Sequence, residues 1–129
     1  TLRFNTIYLI FTIMFKITRI YSDENGESHF EEMDMPLSEA GEIGFLSEKL
    51  PVKDIVFRKV KPSYDYDFHN APQRQYIILL DGKIEIETSL GEKRVFKGGD
   101  VLLAEDVDGK GHKTKNLEGI ERRSVFVGF

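Results

Sequence analysis

The sequence has no cysteine. That excludes disulfides, thiolate metal sites and cysteine nucleophiles together, and it fits a reducing compartment, so a cytoplasmic location is expected. Histidine is scarce as well, with only His29, His69 and His112, so a transition-metal site would have few nitrogen ligands to draw on. There is no excess of basic charge. The net charge is −4, and the basic residues Lys93, Arg94, Lys97, Lys110, Lys113, Lys115, Arg122 and Arg123 are scattered among carboxylates and read as a solvated surface. Nucleic-acid binding rests on Lys and Arg neutralising phosphates, so no nucleic-acid partner is expected.

A long hydrophobic run is missing too. The apolar stretch from Ile7 to Phe15 is broken only by Thr12 and is well short of the roughly 20 residues that span a bilayer. No small-residue cleavage site follows it, as a secretory signal would require, and no membrane partner is expected. Met14 is read as the functional beginning, with residues 1–13 an apolar extension that pairs as an added strand. An exposed strand of that composition invites aggregation, so it is expected to be covered by a second subunit.

Helical periodicity is the last absence. No segment of ten or more residues repeats its apolar positions every three to four. Short alternating runs are present instead, separated by turn residues. "KITRIYS" (16–22) leads through "DENGE", whose Asn25-Gly26 is a strong hairpin signal, into "SHFEEMDM" (28–35). Residues 36–51 read as a loop with one helical turn. Strands are then expected in "DIVFRKVK" (54–61), "RQYIILL" (74–80), "KIEIETS" (83–89), "KRVF" (93–96), "DVLLAED" (100–106), "GHKTKN" (111–116) and "RRSVFVGF" (122–129), with "YDYDFH" (64–69) read as extended between the first two. Many short strands at even spacing with glycine-rich turns imply an all-β sandwich or barrel. At 129 residues, 40% hydrophobic and 31% charged, the chain makes one globular domain, assigned to residues 14–129.

Two stretches carry a family resemblance. "HNAPQRQYIILLDG" begins with His69 and ends with Gly82; a strand, "GE", "GGD" and "GHKTKN" follow. Residues from about 55 to 128 resemble a cupin, the small jelly-roll β-barrel or double-stranded β-helix, and in particular a group of small, functionally uncharacterised single-domain cupins. The family's first motif places two histidines, a glutamate and a glycine at set intervals. His69 and Gly82 match its ends, while Ala71 stands at the second histidine and Gln75 at the glutamate. In the second motif, Gly99, Gly109, His112 and Asn116 match. Glu105 replaces a proline, and the span from Gly99 to Gly109 is two residues longer than usual. Two of four metal positions are therefore kept. The resemblance also implies a homodimer.

Alternation sorts the side chains around these positions. In an extended 64–69 segment Asp65, Asp67 and His69 share one face and Tyr64, Tyr66 and Phe68 the other. Gln75, Ile77 and Leu79 lie on one face of their strand, the inner one in the cupin pattern, and His112, Thr114 and Asn116 share a face of theirs. Arg74, on the outer side, is expected to pair with Glu85 or Glu87 rather than to anchor a carboxylate. Asp106 could orient His112, act as a general base or cap a turn. His29 belongs to no motif and reads as a surface or satisfied histidine.

The pocket is thus expected to be lined by His69, Gln75 and His112, with Tyr66, Asp67, Glu105 and Asp106 at the rim and Ile77, Leu79, Leu103 and Phe126 as walls. The leading functional reading is a small-molecule-binding module for a polar metabolite, with no cofactor and no assigned catalytic residue. The alternative is a metal-dependent enzyme of isomerase, lyase or dioxygenase type, with zinc, iron, manganese or nickel on His69 and His112 and a carboxylate from Asp67 or Glu105. A third reading, a purely structural domain, requires a barrel filled with side chains. The sequence leaves open whether the protein is an enzyme and what its ligand is.

Overall fold

A computed structural model of the chain describes residues 14–129. The strand expected in residues 1–13 lies outside the described residues. The short β-branched runs become strands, and the turn residues between them set their order. β1 (Met14–Ser22) and β2 (Ser28–Pro36) form a long hairpin about the Asn25-Gly26 turn. Residues 36–51 hold the expected single helical turn, Gly41–Ile43, flanked by a two-residue pair, β3 (Ser38–Glu39) and β4 (Phe45–Leu46). There follow β5 (Asp54–Val60), β6 (Asp65–His69), β7 (Gln75–Leu79), β8 (Lys83–Thr88), β9 (Lys93–Lys97), β10 (Val101–Ala104), β11 (His112–Asn116) and β12 (Arg122–Gly128).

These strands assemble into a six-stranded sheet of order β2-β1-β10-β7-β12-β5 and a four-stranded sheet of order β6-β11-β8-β9. Among the described residues the pairings are antiparallel except β1 with β10, which run parallel from Thr18↔Leu102 to Ile20↔Ala104. Strands close in sequence therefore end up in different sheets, as in a jelly roll. β7 lies between β10 and β12, while β8, next in sequence, crosses to the other sheet.

The core forms where the inner faces meet. Ile20, Ile77, Leu79, Leu102 and Ala104 of the larger sheet pack against Ile84, Ile86 and Phe96 of the smaller one. Each is placed by strict alternation: in β7, Gln75, Ile77 and Leu79 are buried while Tyr76 and Ile78 face outward. A fully buried Ile or Leu contributes about 1.5–3 kcal/mol relative to its exposed state.

Among the described residues the two sheets are joined along one side. There the Ser28 amide donates to Ser89 Oγ and the Ser89 amide donates to Ser28 Oγ, both at 2.8 Å, and Arg94 Nη1 reaches Glu32 at 3.3 Å. On the other side β5 and β6 are the free edges of their sheets, and a cavity opens between the layers. No helix among the described residues is long and apolar enough to cross a membrane.

Candidate functional site

The cavity measures about 600 Å³, within the range of small-molecule pockets. Its floor is apolar: Ile77, Leu79, Ile84, Ile86 and Leu102. Gln75, His69, His112, Thr114, Tyr64, Tyr66, Arg58 and Arg122 bring polar groups to the wall, and Phe126 closes one side.

Two latched loops bring the histidines together. Asp106 O accepts from the Ala71 amide at 3.1 Å and from Asn70 Nδ2 at 3.3 Å, and Gly109 O accepts from Asn70 Nδ2 at 3.1 Å. The turn after β6 is thereby held against the loop before β11, and His69 and His112 become register partners. Their ring centroids are 4.7 Å apart.

Each imidazole has one nitrogen committed. His69 Nδ1–H donates to the Asp67 carbonyl at 2.9 Å. His112 Nδ1–H donates to Asp106 Oδ2 at 2.5 Å, with His112 only 5% exposed and Asp106 fully buried. Both rings line the cavity, so Nε2 is the atom each leaves for a ligand. Asp106 takes the orienting role among those open to it, and its Oδ1 has no hydrogen-bond partner in the described structure.

A β-bulge corrects the face assignment read from simple alternation. Between His112 and Thr114 β11 advances two residues, whereas β6 runs three from His69 to Tyr66. The extra residue on β6 shifts the parity, so Tyr66 joins His69 on the cavity side, its ring edge-on to the imidazole at 4.5 Å. Asp67 is displaced from the cavity lining, and its Oδ1 accepts the Phe68 amide at 2.8 Å.

Glu105 is likewise outside the lining. Its carboxylate bridges Arg19 Nε and Arg74 Nε, each at 2.6 Å, beside the larger sheet. The expected pairing of Arg74 with Glu85 or Glu87 does not form, because β8 lies in the other sheet from β7. Leu103 is buried but has the parity of Val101, opposite to Leu102 and Ala104, and forms no part of the wall. His29 is satisfied, with Nε2 2.7 Å from Asp23 Oδ2. Gln75, Ile77, Leu79 and Phe126 lie where alternation puts them.

Arg58 and Arg122 are cavity residues that the sequence reading missed: it assigned Arg122 to the solvated surface and did not single out Arg58. Arg122 is only 4% exposed. The signal was present in "RRSVFVGF", where alternation puts Arg122 on the face of Ser124 and Phe126. What hid it was reading the basic residues together as a solvated surface because they are scattered among carboxylates.

The motif glycine at the other end has a local reason. Gly82 has φ +73, and a Cβ there would stand 2.8 Å from Arg122 Cβ. Its missing side chain is what lets the Arg122 stem run past the β7–β8 turn.

Burial pushes the His69 imidazole below its ordinary value of 6.5; the nearby His112 and Arg58 act in the same direction, while the Asp67 carbonyl and Asp106 oppose it. The folded protein therefore binds this proton less readily than the unfolded chain. The corresponding stability is present above pH 6.5 and is lost as pH falls through the folded value. Two outcomes are expected: an NMR titration midpoint for His69 below that of a free histidine, and a fall in the thermal midpoint between about pH 7 and pH 5 that is smaller in His69→Gln.

The donor set does not suit a resident transition metal. Such a metal wants three or more protein ligands with an open position. Here two imidazoles and the neutral amide of Gln75 face the cavity, Asp67 and Glu105 are turned elsewhere, and Asp106 is committed to His112. Among the described residues no three of His, Asp or Glu converge on one point. What the arrangement can do chemically is bind a polar ligand through two imidazole Nε2 atoms, with His112 backed by a buried carboxylate as a proton acceptor would be.

No family model and no curated protein sequence matches the chain. Among solved structures, the cupin domain of Schizosaccharomyces pombe Cnp3 is similar at 12% identity and a TM-score of 0.45, covering 89% of this chain and 82% of that one. A putative ethanolamine utilization protein Q from Salmonella typhimurium is similar at 13% identity and a TM-score of 0.38, covering 90% and 96%. Neither likeness carries an argument about activity or ligand. The strand order of the two sheets and the motif positions His69, Gly82, Gly99 and His112 make this a small, all-β protein of cupin-like fold.

Proposed function

We propose that the protein binds a small polar molecule between its sheets, without a resident metal. One observation carries the reading: an open cavity of about 600 Å³ into which His69 and His112 each offer Nε2, while Asp106 is taken up on the Nδ1 side of His112 and Asp54, at the cavity wall, accepts from Gln73. An open interior also speaks against a purely structural domain, whose barrel would be filled. The polar wall gives a ligand orientation, and the Ile and Leu floor gives it apolar contact.

Metal content of protein purified without an affinity tag, together with histidine NMR spectra, tests this. The expected result is less than stoichiometric zinc, iron, manganese or nickel, and shifts in the His69 and His112 imidazole signals when polyols, hydroxy acids or amino acids are added. Stoichiometric metal that disappears in His69→Ala would favour the metal-dependent enzyme instead. Failure of every added compound to move either imidazole would sink the binding reading.

A further inference from the structure

Resting on the binding reading above, we propose that the cavity's ligand carries a carboxylate, held by Arg58 and Arg122 at the end away from the histidines' loops. The two arginines share the cavity face of the β5–β12 pair. Arg58 stands opposite Ser124, and Arg122 is two residues along β12. That makes them diagonal neighbours on one face, about 7–8 Å apart along the sheet.

Their aromatic surroundings hold them in place without neutralising them. The Arg58 guanidinium lies 4.2 Å from the Phe126 ring centroid and the Arg122 guanidinium 5.6 Å from that of Tyr64. Among the described residues neither arginine forms an ion pair with a carboxylate. Arg122 Nε and the Ser124 Oγ between the two are both buried without a hydrogen-bond partner.

This pattern is costly in an empty pocket. A buried guanidinium without an ion-pair partner loses hydration that an aromatic contact replaces only in part, and a second cation beside it adds repulsion. Burial and, after it, the Arg58 charge hold the Arg122 guanidinium below its ordinary value, against the opposing pull of Tyr64 and Asp81. The nearby carboxylates are already engaged: Asp81 with Arg123 Nε at 2.8 Å, Asp106 with His112, and Asp54 with Gln73 Nε2 at 3.0 Å. An incoming anion supplies the missing charge and the missing acceptors at once. A planar carboxylate matches the guanidinium fork in two parallel hydrogen bonds, and the ligand's remaining polar groups reach towards the imidazole Nε2 atoms. Arg74, expected from the sequence to form an ion pair rather than to anchor a carboxylate, is paired with Glu105, which leaves Arg58 and Arg122 for that task.

The test titrates the full chain with glycolate, malate and gluconate, with the matching uncharged amides, and with inorganic phosphate, following thermal midpoint and histidine signals. At least one acid is expected to raise the midpoint and its amide to fail. Loss of one charged hydrogen-bonding partner should weaken the acid about tenfold or more in both Arg58→Gln and Arg122→Gln. Arg58 is partly exposed, so Arg58→Gln keeps the test valid if the Arg122 variant folds poorly. An acid and its amide binding alike, unaffected by Arg58→Gln, would overturn the carboxylate while leaving the binding cavity intact. Phosphate binding more tightly than every acid would overturn it also. Silence from acids, amides and phosphate while a polyol still moves the histidine signals would overturn the carboxylate alone; silence from the polyols and amino acids as well would overturn the binding reading on which it rests.

Discussion

Gly111→Ala is expected to be the most damaging single-methyl change in the protein, lowering stability by about 3 kcal/mol or more and disordering both histidines. Two effects add at this position. Its φ of +73 is a left-handed conformation that an L side chain adopts only with strain. A Cβ built there would also run into the carbonyl group of His69 and the amide nitrogen of Asn70. Those atoms are backbone, so no rotamer change relieves the overlap. The β6 turn and the β11 loop would have to separate, and the latch between Asn70, Ala71, Asp106 and Gly109 would open with them. Chemical denaturation gives the stability change, and the dispersion of the His69 and His112 NMR signals reports the site. A loss below about 1 kcal/mol would mean that the two loops are not packed as described.

Asp106→Ala should cost about 2–4 kcal/mol and change the proton position on His112. The carboxylate is fully buried beneath the ring, and its removal strands His112 Nδ1–H in a space with no other acceptor identified. The cavity left by the carboxylate adds to the loss. Without Asp106 to hold the proton on Nδ1, the imidazole is free to place it on Nε2, which turns the cavity-facing atom from acceptor into donor. Nitrogen-15 shifts of His112 separate the two tautomers directly. Asp106→Asn keeps an acceptor of similar shape, so it should retain the Nδ1–H tautomer and lose less stability than the alanine variant. Equal losses in the two variants would point to packing rather than the hydrogen bond as the role of Asp106.

The chain's own pattern of residues determined a good deal. Alternation in short runs such as "QYIIL" and "HKTKN" was enough to assign an all-β fold and to group Gln75 with Ile77 and Leu79, and His112 with Thr114, on single faces, because a strand's side chains have a period of two whatever surrounds it; the cupin resemblance said which face of the first turns inward. The glycine and histidine spacings pointed to the jelly roll, and Ala71 and Gln75 to an incomplete metal motif. These are local properties, and neighbouring strands do not alter them.

Tertiary structure decided what depends on which strands become neighbours. The bulge in β6 is visible only against β11, where three residues face two, and it exchanges Asp67 for Tyr66 at the cavity. The partner of Arg74 follows from β7 lying between β10 and β12, which brings Glu105 within reach and removes Glu85 and Glu87 to the other sheet. The burial of Arg122 follows from β12 lying inside the six-stranded sheet with its even-numbered residues turned inward. Charge alone says that an arginine prefers water. Only the closing of one sheet over the other decides that this one faces a cavity, where its charge has to be answered by something the chain does not supply.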